Sequence, residues 1–306
     1  MNNNTDTKPV IGLALGSGAS RGWAHIGIIK ALAEHNITVD IVSGCSIGSL
    51  VGAAYAAGNL DKLDNWISSM TTRELARFFE VNLNLNGFVD ANHLTQFMKT
   101  TICDEQTRIE DLDKPFGCVA TELQTGREIW FTEGSVHEAI WSSISLPGLF
   151  PPINYQGKWL VDGGLVNPVP VSLCRASGAE IVIAVSLNSD LVGKRFNRQK
   201  KNSTKENNFL NSITDTLKNY SSSLFKTSDE KESLPGLIDT VVGSMNIVED
   251  RLTRSRMAGD PPDILLTPKL SHIGLLEFQR GKEAIEEGRK SVARMLPEIE
   301  YLMEKL

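Results

Sequence analysis

The chain has 306 residues, of which 41% are hydrophobic and 22% charged, a balance that is typical of a globular protein and excludes overall disorder. Its 31 basic and 37 acidic residues give a formal net charge of −6, which argues against a general nucleic-acid binder that depends on neutralising phosphates. We therefore expect no nucleic acid among its partners.

Targeting signals and membrane spans are not predicted. Residues 1–8 lack the basic start and apolar run of a secretory signal and are expected to form a disordered tail. The longest stretch of low polarity, residues 50–58, falls short of the roughly 20 residues that span a bilayer. The four cysteines are too few and too widely spaced for a disulfide framework. We expect a cytoplasmic protein, with room for peripheral contact at the inner membrane face.

Two strand-turn-helix units are predicted at the start of the chain. The apolar run at residues 10–15 precedes a glycine-rich turn at residues 16–22 and then a helical pattern. A strand at residues 39–42, a tight turn at 43–48 and a helix of small residues at 49–57 repeat the unit. Strands that are apolar on both faces indicate a parallel sheet covered by helices, so the sequence predicts an α/β protein.

Further elements of both types follow along the chain. Helices are expected at residues 61–80, 91–102, 135–145, 237–257 and 275–305, and strands at residues 116–120, 128–132, 158–161, 181–185 and 263–266. Ser135 and Glu138 have the spacing of a capping box at the start of a helix. Pro297 is the predicted point of interruption in the last helix.

A change of composition divides the chain. Residues 191–233 are rich in Lys, Ser and Asn and poor in large apolar side chains, which predicts a polar insertion that is flexible or partly helical. The insertion separates a core at residues 9–190 from a C-terminal helical extension at residues 234–306. We expect this extension to carry one strand and to pack on the core.

A candidate nucleophile lies in the second unit. Residues 44–48 read Gly-Cys-Ser-Ile-Gly, a G-x-S-x-G pattern between a predicted strand and a predicted helix. Gly44 and Gly48 let the strand turn sharply into the helix, which pushes the hydroxyl of Ser46 out of the turn. The structural alternative is a strand-to-helix turn with an idle serine.

The glycine-rich turn can supply N–H donors for an oxyanion, and each such donor lowers the barrier by about 3 kcal/mol. Its glycines permit conformations that point successive N–H groups at one place, and the following helix adds the positive end of its dipole. Gly18 and Ala19 are the preferred donors. The candidate oxyanion-binding residues are Gly16, Ser17, Gly18, Ala19 and Arg21, with Arg21 as the anchor of the loop and Gly22 in support.

A dinucleotide-binding site is the rival interpretation of the same loop. Its fingerprint is G-x-G-x-x-G, but here the third glycine, Gly22, falls one residue late. Asp40 follows at about the right distance for a ribose-binding acid, yet it precedes the second strand's apolar run instead of ending it. The match is imperfect, and this alternative stays open.

Asp162 is the candidate base. It lies at the end of an apolar run, and the flexible Gly163 and Gly164 after it allow its side chain to reach the end of the sheet where sites collect in such folds. A carboxylate with an unperturbed pKa is a weak base at pH 7, so its use implies close contact with the hydroxyl and a desolvated pocket. An Asp-Gly-Gly turn without chemistry is the alternative. His272 completes the chain order of a Ser-Asp-His triad and stays a rival base, whereas His25 is predicted to be structural.

Together these motifs resemble the patatin-like phospholipases, and among them the bacterial proteins related to neuropathy target esterase. Residues 15–22 look like the family's oxyanion loop, residues 44–48 like its nucleophile elbow and residues 162–164 like its D-G-G/A motif. The resemblance implies a three-layer α/β fold with a mainly parallel sheet. It also implies a dyad of Ser46 and Asp162 that hydrolyses acyl-ester lipids, such as phospholipids or lysophospholipids, without metal or cofactor.

The chain departs from many family members in the oxyanion loop, where Ser17 and Ala19 stand in place of consecutive glycines. Their side chains narrow the approach to the loop, which affects rate and acyl specificity more than mechanism. A catalytically weak binding or regulatory module on the same scaffold is the alternative function. The sequence carries no signal for the oligomeric state.

Overall fold

The computed structural model describes residues 8–69, 71, 91–190 and 237–304. The predicted N-terminal tail, apart from Lys8, lies outside the described residues, as do nearly all of the second half of the helix expected at residues 61–80 and the whole polar insertion at residues 191–233.

The described elements are numbered along the chain. The strands are β1 (Ile11–Leu15), β2 (Ile41–Cys45), β3 (Phe116–Glu122), β4 (Glu128–Phe131), β5 (Ile153–Tyr155), β6 (Lys158–Asp162), β7 (Ile181–Val185) and β8 (Ile264–Leu266). The helices are α1 (Ala24–Glu34), α2 (Ile47–Ala56), α3 (Leu60–Ser69), α4 (Ala91–Thr101), α5 (Val136–Ile144), α6 (Val171–Ala176), α7 (Leu237–Gly259) and α8 (Gly281–Glu304).

These strands form one sheet in the order β5-β6-β3-β2-β1-β7-β8, and β4 pairs with β3 outside this order. Parallel pairing runs from β3 through β2, β1 and β7 to β8. β4, β5 and β6 add antiparallel pairs at one side of the sheet. The predicted α/β class with a mainly parallel sheet is confirmed.

Side chains alternate along the strands, so each face of the sheet carries its own hydrophobic core. On one face, Leu13 of β1 and Ile183 of β7 belong to a large cluster beneath α1, α2 and α8. On the other face, Ala14 and Val182 pack with Cys174 of α6 in a smaller cluster. Helices, sheet and helices therefore make the three expected layers.

Strand β2 differs from its prediction. The structure extends it to Cys45, because its main chain pairs with β1 and with β3 along the whole strand. The turn predicted at residues 43–48 contracts accordingly, and α2 begins at Ile47 instead of residue 49.

The last helix differs as well. It begins at Gly281 and continues through Pro297, where the sequence predicted an interruption. The side chains of Val292 and Ile299, one on each side of the proline, are both fully buried. Packing on the core therefore holds the two halves in one helix. Within the described ranges, no helix is long and apolar enough to cross a bilayer.

Candidate active site

The sheet topology brings Ser46 and Asp162 together. β4 occupies one edge of β3, where it pairs with residues 118–121. These same residues also pair with β2 or with β6, so β2 and β6 must both lie along the other edge of β3. Along this edge, β2 runs parallel to β3 and ends with Cys45 opposite Val119. β6 runs antiparallel and ends with Asp162 opposite Ala120. The carboxyl ends of β2 and β6 therefore meet head to head.

Ser46 is the single residue between β2 and α2. Its backbone has φ 54° and ψ −124°, a sparsely populated conformation that costs on the order of 1–3 kcal/mol. Hydrogen bonds hold this turn: the Ser46 N–H donates to Ser143 Oγ at 2.9 Å, and the Ser46 carbonyl accepts from Ser49 Oγ at 2.6 Å. The turn presents the hydroxyl beyond the end of the strand, as the sequence predicted.

The motif glycines are sites of close approach. An added Cβ would collide with main-chain oxygens at Gly44, Gly48 and Gly163 and with the Ile47 side chain at Gly22, so the tight packing of these turns requires glycine, whereas at Gly164 the near atom is the end of the Glu249 side chain. The distances from such a Cβ are 2.2 Å to Ile47 Cγ2 at Gly22, 2.5 Å to Gly48 O at Gly44, 2.1 Å to Leu15 O at Gly48, 2.2 Å to Val119 O at Gly163 and 2.8 Å to Glu249 Oε1 at Gly164.

Ser46 and Asp162 are joined by a hydrogen bond. Ser46 Oγ donates to Asp162 Oδ2 at 2.5 Å, and the Gly164 N–H donates to Asp162 Oδ1 at 2.7 Å. Asp162 is 1% exposed, and this burial raises the pKa of its carboxyl to about 7, with a further increase from the charge of Glu249. A carboxylate of this basicity is matched to proton transfer near neutral pH.

The oxyanion loop contributes fewer free donors than the sequence predicted. The N–H of Gly16 donates to Val185 O at 3.1 Å and that of Ser17 to Pro168 O at 2.8 Å, so neither amide is available to a ligand. The N–H groups of Gly18 and Ala19 make no hydrogen bond to any described residue. Among the predicted oxyanion-binding residues, the backbone N–H donors that the described residues leave free are therefore those of Gly18 and Ala19.

Side chains of α7 hold this loop. Ser17 Oγ donates to Glu249 Oε2 at 2.8 Å, and Arg21 Nη2 donates to Asn246 Oδ1 at 3.3 Å. Arg21 is 1% exposed, and burial lowers the pKa of its guanidinium to about 10, which leaves it charged at neutral pH. The Arg21 N–H also donates to Gly18 O at 3.2 Å, which supports its expected role as an anchor.

Neither candidate histidine reaches the dyad. His272 is half exposed and pairs with Glu283, with 2.7 Å between Nε2 and Oε1. His25 is fully buried, and burial lowers its pKa to about 4, so the neutral ring donates from Nε2 to Gly16 O at 2.8 Å. His25 is thus a structural support of the loop, and the geometry does not assemble a Ser-Asp-His triad.

These groups surround a small cleft of about 30 Å³. Ser46, Asp162 and the loop form one wall, and α7 forms the other through Met245, Asn246 and Glu249. Sequence reasoning did not identify the α7 residues, because nothing in the chain's local patterns links them to the loop. The remaining lining residues are Leu146 and Leu275.

Known proteins resemble this chain in sequence. The family model for Patatin-like phospholipase matches residues 13–175. An NTE family protein of Mycobacterium tuberculosis is 29% identical over 96% of this chain and 93% of its own length. The lysophospholipase NTE1 of Mycosarcoma maydis is 36% identical over 58% of this chain and 10% of its own length. Mouse patatin-like phospholipase domain-containing protein 6 is 33% identical over 60% of this chain and 14% of its own length.

The family match covers more than half of the chain, and it includes the oxyanion loop, the elbow and the Asp-Gly-Gly motif in one segment. The fold and the order of these motifs agree with the resemblance stated from the sequence. The chain belongs to the patatin-like phospholipase family and is a serine ester hydrolase of that family.

Proposed function

We propose that the chain hydrolyses acyl-ester lipids with Ser46 as the nucleophile and Asp162 as the general base. The observation that carries this proposal is the 2.5 Å hydrogen bond from Ser46 Oγ to Asp162 Oδ2, in a cleft that is also lined by Gly18 and Ala19, whose N–H groups bond to no described residue. A hydroxyl, a base and oxyanion donors that share one small site are the parts that acyl transfer needs.

In the first half of the reaction, Ser46 Oγ attacks the ester carbonyl carbon while its proton passes to Asp162 Oδ2. The carbonyl oxygen becomes an oxyanion, which the N–H groups of Gly18 and Ala19 stabilise. When the tetrahedral intermediate collapses, the bond to the leaving alcohol breaks and Asp162 returns the proton to that alcohol. The product on the protein is an acyl ester of Ser46.

In the second half, a water molecule attacks the acyl-Ser46 carbonyl and gives its proton to Asp162. The same two N–H groups stabilise the second oxyanion. Collapse breaks the bond to Ser46 Oγ, which takes the proton back from Asp162 and releases the fatty acid. One carboxyl thus serves as base and acid in turn, which suits a pKa near neutrality.

The names of the relatives indicate which class of substrate to test. Two of them are named as a lysophospholipase and as a phospholipase domain protein, so lysophospholipids and phospholipids are the first esters to test. Exposed apolar side chains also adjoin residues that line the cleft: Ile247 and Val248 follow Asn246 in α7, and Leu276 follows Leu275. The exposure of these side chains supports the proposal of peripheral contact with lipid.

The decisive test replaces Ser46 by Ala and measures both p-nitrophenyl ester turnover and labelling by a fluorophosphonate. Ser177→Ala is the matched control, since Ser177 Oγ only donates to Leu173 O in a helix away from the cleft. We expect at least a thousandfold loss of turnover and no adduct in the Ser46 variant, with both retained in the control. Turnover that survives in Ser46→Ala would remove the assignment, and an unlabelled wild type would favour the binding module.

A further inference from the structure

Glu249 is a buried carboxylate that ties together two strand ends. It lies in α7, is 7% exposed, and its Oε2 accepts from Ser17 Oγ at 2.8 Å and from Asn188 Nδ2 at 2.7 Å. Ser17 follows β1 and Asn188 follows β7, and these strands are neighbours in the sheet. One carboxylate oxygen therefore fixes the oxyanion loop to the adjacent strand end.

The other oxygen of Glu249 faces the turn that carries the base. An added Cβ at Gly164 would lie 2.8 Å from Glu249 Oε1 and 3.1 Å from Asp162 Oδ1, so the two carboxyls lie close to the same point beside this glycine. Both also line the cleft that contains Ser46. Glu249 thus contacts the oxyanion loop with one oxygen and the Asp162 turn with the other.

Charge links the same groups. Burial raises the pKa of Glu249, and the charge of Arg21 and the hydrogen bonds from Ser17 and Asn188 oppose this increase. The charge of Glu249 in turn raises the pKa of Asp162 and also that of the buried Cys45 thiol. Asp162 and Arg21 are thus the charged groups that face Glu249 within the described part of the chain.

We propose that Glu249 is a positioning residue of this site: it holds the oxyanion loop beside Ser46 and places a carboxylate next to the turn that carries Asp162. This inference rests on the proposed function, because it assigns a role within the same reaction. Glu249 does not contact the reacting atoms; it acts through Ser17 on the loop and through its electric field on Asp162.

The effect on pH dependence has a definite sign. Asp162 must be ionised to accept the Ser46 proton, so kcat/KM rises with pH through the pKa of Asp162. Removal of a neighbouring negative charge favours the ionised form and lowers that pKa. The acid limb of the kcat/KM profile should therefore move to lower pH when Glu249 loses its charge.

The test compares Glu249→Gln, which keeps the size and one acceptor oxygen, with Glu249→Asp, which keeps the charge. In profiles of kcat/KM for a p-nitrophenyl ester, we expect the Gln variant to shift its acid limb down by about half a pH unit or more, with a lower plateau. The Asp variant should keep its limb close to the wild-type position. Asp250→Asn, which removes the next buried carboxylate of α7 and frees Arg254, is the matched control.

An acid limb that stays in place in Glu249→Gln, or that moves equally in Asp250→Asn, would overturn the electrostatic role. Ser17→Ala examines the positioning role separately, because it removes the bond to the loop and keeps the charge. We expect a several-fold lower plateau in this variant with an unmoved acid limb, and an unchanged plateau would contradict positioning.

These outcomes are distinct from a failure of the proposed function. If the wild type depends on Ser46 and the Glu249→Gln limb is unmoved, the dyad stands and the role of Glu249 falls. If Ser46→Ala retains its activity, the dyad itself falls. The pH dependence of the fluorophosphonate labelling rate gives the same acid limb should ester turnover be slow.

Discussion

The two halves of the site are held in different ways. Ser46 and Asp162 are fixed by main-chain pairing, because Ser46 follows β2, Asp162 ends β6, and both strands bond to the same edge of β3. The proposed oxyanion loop makes main-chain bonds from Gly16 and Ser17, but it is also held by side chains of α7, through Glu249 on Ser17 and Asn246 on Arg21. The proposed nucleophile and base thus depend on main-chain pairing, whereas the proposed oxyanion loop depends in part on exchangeable side chains.

The largest effect should come from a change to the Ser46–Asp162 pair, which main-chain pairing holds in place. Asp162→Asn removes the base and leaves the turn in place, since the amide oxygen can still accept from the Gly164 N–H. We expect kcat/KM for a p-nitrophenyl ester to fall by about 10²–10⁴-fold. The Asp250→Asn variant is again the matched loss of a buried carboxylate. Equal activity in Asp162→Asn and wild type would contradict the assignment of Asp162 as the general base, although strand pairing places it beside Ser46.

A substitution in the proposed oxyanion loop, Gly18→Ala, should have a smaller effect on activity. Gly18 has φ 156°, and an added Cβ would lie 2.8 Å from Leu187 Cδ1, so the loop must shift and misdirect its N–H groups. We expect kcat to fall by roughly 10–100-fold, less than the full loss of an oxyanion donor. Steady-state kinetics on dissolved esters measures this change.

Gly126→Ala supplies the control for Gly18→Ala. Gly126 also has a positive φ, 69°, but it lies in the β3–β4 hairpin with open space around its Cβ position. Its replacement should cost about 1–2 kcal/mol of the free energy of unfolding and leave kcat unchanged. A loss of kcat no greater in Gly18→Ala than in Gly126→Ala would remove the oxyanion role of the loop.

Ala19→Gly should have the smallest effect on activity. It removes a side chain from the loop, whereas Gly18→Ala adds one. Ala19 has φ 48°, a conformation that costs a residue with a Cβ on the order of 1 kcal/mol. Glycine relieves that strain, so we expect equal or slightly higher thermal stability and a kcat within a few-fold of wild type. Calorimetry against Gln156→Gly, a turn residue with φ 51°, separates the local relief from any effect on the site.

A tenfold loss of kcat in Ala19→Gly would contradict this view. It would mean that the alanine itself, and not the contacts from α7, keeps the loop in its working conformation. Hydrolysis of esters with branched acyl chains tests the second expectation, which is that the smaller residue admits bulkier substrates.

Much of the site could be predicted because its motifs are local. The G-x-S-x-G pattern and the Asp-Gly-Gly turn each contain their own steric requirement, so Ser46 and Asp162 could be identified from neighbours in sequence. The length of β2 could not be predicted. Residues 43–45 have a weak intrinsic preference for strand, and it is pairing with β3 that extends β2 to Cys45. Long-range pairing decided that boundary.

The contacts from α7 were beyond prediction for a different reason. Ser17 and Glu249 are 232 residues apart, and the polar insertion lies between them. An amphipathic pattern predicts that a helix packs on a core, but it does not tell which of its polar residues will face a particular loop. The loop's available donors narrowed to Gly18 and Ala19 for the same reason, since Pro168 and Val185 occupy the others from distant segments.

The head-to-head meeting of β2 and β6 also bears on when the protein becomes reactive. Side chains alternate from face to face along a strand, so a slip of β6 by one residue against β3 would turn Asp162 away from Ser46. A chain in which β6 has not yet paired correctly carries a serine without a base. Esterase activity would therefore appear only with the finished sheet, and a partly folded molecule would be unable to attack lipids.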